Sequence, residues 1–148
     1  MSDFRPRAPD YEARVRESFA RQNLMRTIGA VLTVVGPGVV EIELPFREDL
    51  TQQHGYLHAG VVTSIADSAC GYAALSLMPE GAGVLSVEYK INLLAPASGE
   101  RMIARARVTR AGRTLTVCAA DVFAVAGGHE RLVATMLGTM MSVGGRQG

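Results

Sequence analysis

Asp67 lies in the middle of His58 to Met78, HAGVVTSIADSACGYAALSLM, the longest run of apolar and small residues in the chain. A carboxylate in such company is costly unless it has a partner or a task. Its neighbours Ile65, Ala66, Ala69 and Cys70 cannot pair with it. Two readings stand. The acid is either structural, tied to a backbone amide or an arginine from elsewhere, or it faces a pocket. In the second case apolar surroundings disfavour its charged form and make it a better proton acceptor.

The start of the same run offers a complementary group. A helix beginning at His58 and Ala59 presents N–H groups without intrahelical partners, at the positive end of the helix dipole, which suits a developing oxyanion. Ala59 and Asp67 are eight positions apart, about 12 Å along a helix at 1.5 Å per residue. One carbonyl carbon cannot lie within about 3 Å of both. If both act on one substrate they belong to different chains, which predicts a symmetric dimer with its sites at the interface. Taken alone, His58 reads as a solvated loop histidine, as do His54 and His129, whose spacing favours no function.

Other chemistries lack their residues. The chain has no GxxxxGK phosphate loop, no GxGxxG after a strand and no GxSxG elbow. Ser64, Ser68 and Ser76 have no suitably spaced His and Asp, which argues against a serine hydrolase. No His, Cys and acid cluster suggests a metal, and no cofactor is expected. Cys70 and Cys118 lie in apolar segments and read as small buried hydrophobes in a reducing compartment. Fifteen basic and 14 acidic residues give a net charge of +1, too little field to attract nucleic acid or an anionic membrane. Asp67, His58 and several hydroxyls interrupt the central run, so it is not read as a membrane span. The N-terminus lacks the apolar core of a signal peptide. The expectation is a cytoplasmic protein.

The elements that must hold these residues are legible in outline. With 148 residues, 48% hydrophobic and 20% charged, the chain is expected to form one globular domain, residues 1–148. Met1 to Pro9 reads as a loose tail. Tyr11, Val15 and Phe19 then fall on one face of a helix opened by Pro9 and Asp10, read as a brace on something larger. Ile28 to Val35 and Val39 to Pro45 form a hairpin around Gly36-Pro37-Gly38, and a polar connector, Arg47 to Gly55, leads into the central helix. Pro79 to Gly83 ends that helix. Leu85, Val87, Tyr89, Ile91 and Leu93 alternate with polar residues, and further β segments run over Met102 to Arg110, Thr114 to Ala126 and Leu132 to Val143. Short turns between them predict antiparallel neighbours. The fold class is α+β, a long antiparallel sheet wrapped around a central helix at about 58–78, with an N-terminal helix.

Gln52-Gln53-His54-Gly55-Tyr56-Leu57-His58-Ala59-Gly60, followed by Asp67 and Gly71-Tyr72-Ala73, resembles the signature of PaaI-type hotdog-fold acyl-CoA thioesterases, in the 4-hydroxybenzoyl-CoA thioesterase-like superfamily. In that family Asn, Gly and His-Gly-Gly precede a long helix with an Asp nine residues after the His. Leu85 to Tyr89 and Leu94 to Ala97 resemble the family's next strand and its Pro-containing turn, and the likeness runs from about Ile28 onward. It implies that Asp67 is the catalytic carboxylate, as base or nucleophile. It also implies that the Ala59 N–H polarises the thioester carbonyl beside His58, and that Ser86 places the water or the acid. Gln52 stands where the family has Asn, and Ala59 replaces its first Gly after the His. Gly60 and Tyr72 are implied substrate contacts. The family's assembly, dimers paired into tetramers, agrees with the two-chain geometry above.

The reaction so implied is hydrolysis of an acyl-CoA to a carboxylic acid and CoA, with CoA as part of the substrate. Two alternatives stay open. The departures at Gln52 and Ala59 motivate a non-catalytic acyl-CoA-binding hotdog module. A hotdog hydratase or dehydratase ranks last, because here the acid lies mid-helix after an HxG-type turn. Tyr72, Leu75, Met78 and Leu85 are candidates for the acyl pocket.

Overall fold

The computed structural model describes residues 3–144. Helix α1 (Tyr11–Arg21) and the short α2 (Asn23–Ile28) lead into strands β1 (Val31–Gly36) and β2 (Val39–Pro45). A single 3₁₀ turn, Glu48–Leu50, precedes the long α3 (Ala59–Leu75). Four strands follow: β3 (Ala82–Leu93), β4 (Arg101–Ala111), β5 (Leu115–Ala126) and β6 (His129–Gly144).

The six strands form one sheet in the order β1-β2-β4-β5-β6-β3, antiparallel throughout. Alternation dictates its inner face. Val40, Ile42 and Leu44 of β2 point inward, as do Met102, Ala104 and Ala106 of β4 and Cys118, Ala120 and Val122 of β5. Against this face α3 buries Val62, Ile65, Ala66, Ala69, Cys70 and Ala73. Small residues on both sides let helix and sheet approach closely. Cys118 Sγ donates to the Cys70 carbonyl across that seam at 3.5 Å. The sheet therefore wraps the helix as expected.

Three particulars differ from the sequence reading. Ile28 does not open β1 but closes α2, which Gly29 terminates in the left-handed region at φ 80°. The central helix is shorter than 58–78: His58 caps it, and Leu77 and Met78 already bond three residues back, Leu77 N–H to the Ala74 carbonyl and Met78 N–H to that of Leu75. β3 and β4 are consecutive but not neighbours. β3 lies at the far edge on β6, and residues 94–100 carry the chain across to β4. Of the N-terminal residues, Ala8 is buried and Phe4 packs against the core. No helix among the described residues is long and apolar enough to cross a membrane.

Candidate active site

Asp67 is half-buried at the α3 surface rather than sealed in the core. Its hydrogen-bond donor among the described residues is Ser86, whose Oγ lies 2.6 Å from Oδ1. Simple alternation along β3 would group Ser86 with Glu88, Lys90 and Asn92. A β-bulge between Ser86 and Glu88 breaks that pattern. Ser86 pairs with the buried Met140, whereas beyond the bulge Ile91 pairs with the buried Met136 and Leu93 with the buried Ala134. The extra residue lets one strand aim a hydroxyl at the helix and still present apolar side chains on the same face.

Asp67 and Ser86 open on a cavity of about 350 Å³. Its floor is Ser68, Gly71, Tyr72 and Leu75 of α3, and its far wall is Arg14, Ser18 and Arg21 of α1 with Gln22 just past the helix end. Helix α1 is fixed there by Arg14, whose guanidinium donates to the carbonyls of Leu75 (3.0 Å), Met78 (2.8 Å) and Pro79 (2.7 Å). A cation thus caps the negative end of α3. Ser68 Oγ donates to Gln22 Oε1 at 2.8 Å, Ser18 Oγ to the Tyr72 phenol at 3.3 Å, and Phe19 meets the Tyr72 ring edge-on at 5.9 Å. Burial pushes the Tyr72 phenol up, opposed by the Ser18 hydrogen bond and the charge of Arg21, so the phenol keeps its proton.

Gln52, His58 and Ala59 belong to a second cavity, of about 550 Å³, with Tyr56, Leu57, Val62 and residues 93–97. The loop entering α3 is pinned by His58 N–H to the Leu50 carbonyl (3.0 Å) and Leu57 N–H to that of Ala97 (2.9 Å). Gly55 turns it at φ 85°, a conformation that favours glycine. His58 is the N-cap, with Nδ1 accepting from Gly60 N–H at 2.8 Å. A Cβ at residue 60 would sit 3.1 Å from that nitrogen. The N–H groups of Val61 and Val62 bond to the His58 carbonyl. In the first turn only the Ala59 N–H has no partner among the described residues. The Gln52 side-chain oxygen accepts from His54 N–H, which leaves its NH₂ available.

The structure therefore divides the expected site residues. Asp67, Ser86 and Tyr72 share one cavity; Gln52, His58 and Ala59 share the other; Gly60 lines neither and serves the cap. Among the described residues no group of three His, Cys, Asp or Glu could hold a metal ion. The α1 wall was not foreseen from sequence. Its one signal is that Arg14, Ser18 and Arg21 fall on a common helical face beside the apolar stripe.

The family model for the thioesterase superfamily matches residues 54–129, a span that includes His58, Ala59, Asp67 and Ser86. The chain belongs to the thioesterase superfamily. A thioesterase family protein from Silicibacter pomeroyi is 54% identical, with a TM-score of 0.90 over 91% of this chain and 99% of its own. Human acyl-coenzyme A thioesterase 13 is 31% identical over 103 residues, 68% of this chain and 73% of that one. The PaaI protein of E. coli, from the phenylacetic acid degradation operon, is 20% identical with a TM-score of 0.82 over 92% of this chain and 95% of its own, a likeness of fold alone. Helix wrapped by sheet is the hotdog fold, and this superfamily member is a thioester hydrolase by class. The α1 wall and Gln52 lie outside the matched span.

Proposed function

We propose that the protein hydrolyses an acyl-CoA to a free carboxylic acid and CoA at a site completed by two copies of the chain. One observation carries the reading. Asp67 and the Ala59 N–H, which has no partner among the described residues, stand on the same helix but open on different cavities, about 12 Å apart at the helical rise. A two-fold axis bringing one copy's α3 start to the other's middle joins them twice per dimer. β3 supports such pairing. It has a strand on one side only among the described residues, and its Leu85 and Val87 are 55% and 51% exposed. A long apolar edge of this kind calls for cover. Pairing of two such dimers into a tetramer is part of the same proposal.

In the assembled site the partner's Ala59 N–H polarises the thioester carbonyl, assisted by the NH₂ of the partner's Gln52, with His58 holding the helix start in shape. Asp67 Oδ2 accepts a proton from water as the water oxygen bonds to the acyl carbon; the C–S bond then breaks and the thiolate leaves as CoA. Alternatively the carboxylate attacks first, and water cleaves the resulting anhydride. Ser86, bonded to Oδ1, fixes the carboxylate in either route. The reaction needs no metal because a thiolate is a good leaving group.

The test is thiol release from aryl and short-, medium- and long-chain acyl-CoAs. Asp67→Asn is expected to lower turnover by about 10²–10⁴-fold while secondary structure and oligomeric state stay unchanged. Full activity in that variant would refute the role of Asp67. Saturable acyl-CoA binding without thiol release would favour a binding module. An enoyl or hydroxyacyl product would favour a hydratase.

A further inference from the structure

Hydrogen-bond accounting on the α1 wall of the Asp67 cavity is one-sided. Arg14, Ser18 and Arg21 occupy positions i, i+4 and i+7 of α1, Gln22 follows at its C-cap, and all four line the cavity. Ser18 donates to the phenol oxygen of Tyr72, which leaves the Tyr72 O–H free to donate. Gln22 Oε1 is taken by Ser68, which leaves the amide NH₂. Arg14 gives its terminal nitrogens to three carbonyls, and its Nε is buried without a partner among the described residues. The Arg21 side chain makes no hydrogen bond or ion pair among the described residues, although its charge acts on the Tyr72 phenol. On this wall the Gln22 and Tyr72 oxygens are engaged while their donors are spare, and the Arg21 cation stands beside them.

A plain alkyl tail along this wall would offer those donors no acceptor. A carboxylate is an acceptor for the Arg21 guanidinium, the Tyr72 O–H and the Gln22 NH₂, and guanidinium binds it in a two-pronged pair. We propose that the α1 wall selects thioesters whose acyl group ends in a second carboxylate, with Arg21 as the specificity-determining cation and Tyr72 and Gln22 as supporting donors. This deepens the thioesterase reading and rests on it for turnover, though not for binding.

A matched pair of esters tests it: hexanoyl-CoA and the mono-CoA ester of adipic acid, equal in carbon count. Two ratios are read, kcat/KM in the full chain and Kd in the Asp67→Asn protein. Adipoyl is expected to be preferred by about tenfold or more in both. Arg21→Gln should bring both ratios close to one, with Arg21→Lys in between. A preference for hexanoyl, or a ratio that Arg21→Gln leaves unchanged because both esters weaken together, would overturn the proposal; the second outcome would put Arg21 on the CoA part of the ligand. If neither ester is hydrolysed, the thioesterase reading is decided by the wider acyl-CoA panel, while the Kd ratio still decides this one.

Discussion

Ser86 Oγ donates to Asp67 Oδ1 across 2.6 Å, joining the sheet's edge strand to the middle of the central helix. The bond exists because a bulge after Ser86 turns its side chain toward α3. A hydroxyl has one proton to give, so the other carboxylate oxygen has no donor among the described residues. Asp67 is thereby a positioned acid at a cavity mouth.

Ser86→Ala leaves that carboxylate free to rotate. We expect kcat to fall about tenfold, the equivalent of one hydrogen bond, with KM and the thermal midpoint little changed. Steady-state thiol-release kinetics and a melting curve check it. A drop confined to KM would instead assign Ser86 to substrate binding.

Arg14→Ala removes three charge-assisted bonds to the end of α3. Bonds to charged groups are individually strong, yet Arg14 is only partly buried, so we expect a loss of about 2 kcal/mol in urea unfolding. Arg14→Lys should recover part of it.

The buried thiols make stability fall at high pH. Burial pushes Cys118 up to about 12 from an ordinary 9.0; burial, then the charges of Cys118 and Asp67, push Cys70 higher still. Below pH 9 folded and unfolded chains both keep these protons. Above it the unfolded chain releases them first, so stability declines through the window up to the folded values. Each thiol contributes about 1.4 kcal/mol of loss between pH 8 and pH 10. Unfolding free energies from urea titrations at the two values should differ by about that much less in Cys118→Ala.

The central helix and its acid were legible because a long run of small apolar residues with one carboxylate has few other uses. The hairpins at Gly36-Pro37-Gly38 and Gly127-Gly128 were legible too, since their glycines take positive φ at 38, 127 and 128. The orientation of Ser86 was not: period-two alternation places it correctly only if the bulge is known, and a bulge is set by pairing with β6. The wall built by α1 was hidden for a related reason. Its polar residues look like a solvated face until Arg14 finds the end of α3, sixty-odd residues away. The separation of Ala59 from Asp67, by contrast, followed from helical rise alone.

The central claim is that each site draws Asp67 from one chain and the Ala59 N–H from the other. Ala59→Pro deletes that N–H at a first helical position, where proline is tolerated; His58, extended at φ −60° and ψ 138°, already suits the residue before a proline. Asp67→Asn and Ala59→Pro chains, differently tagged, should each be nearly inactive alone. Refolded together at equal amounts, half of the dimers carry one variant of each kind, and each of these has one intact site, so activity should return to about a quarter of the parent. Isolated mixed dimers with no more activity than the single variants would contradict the account.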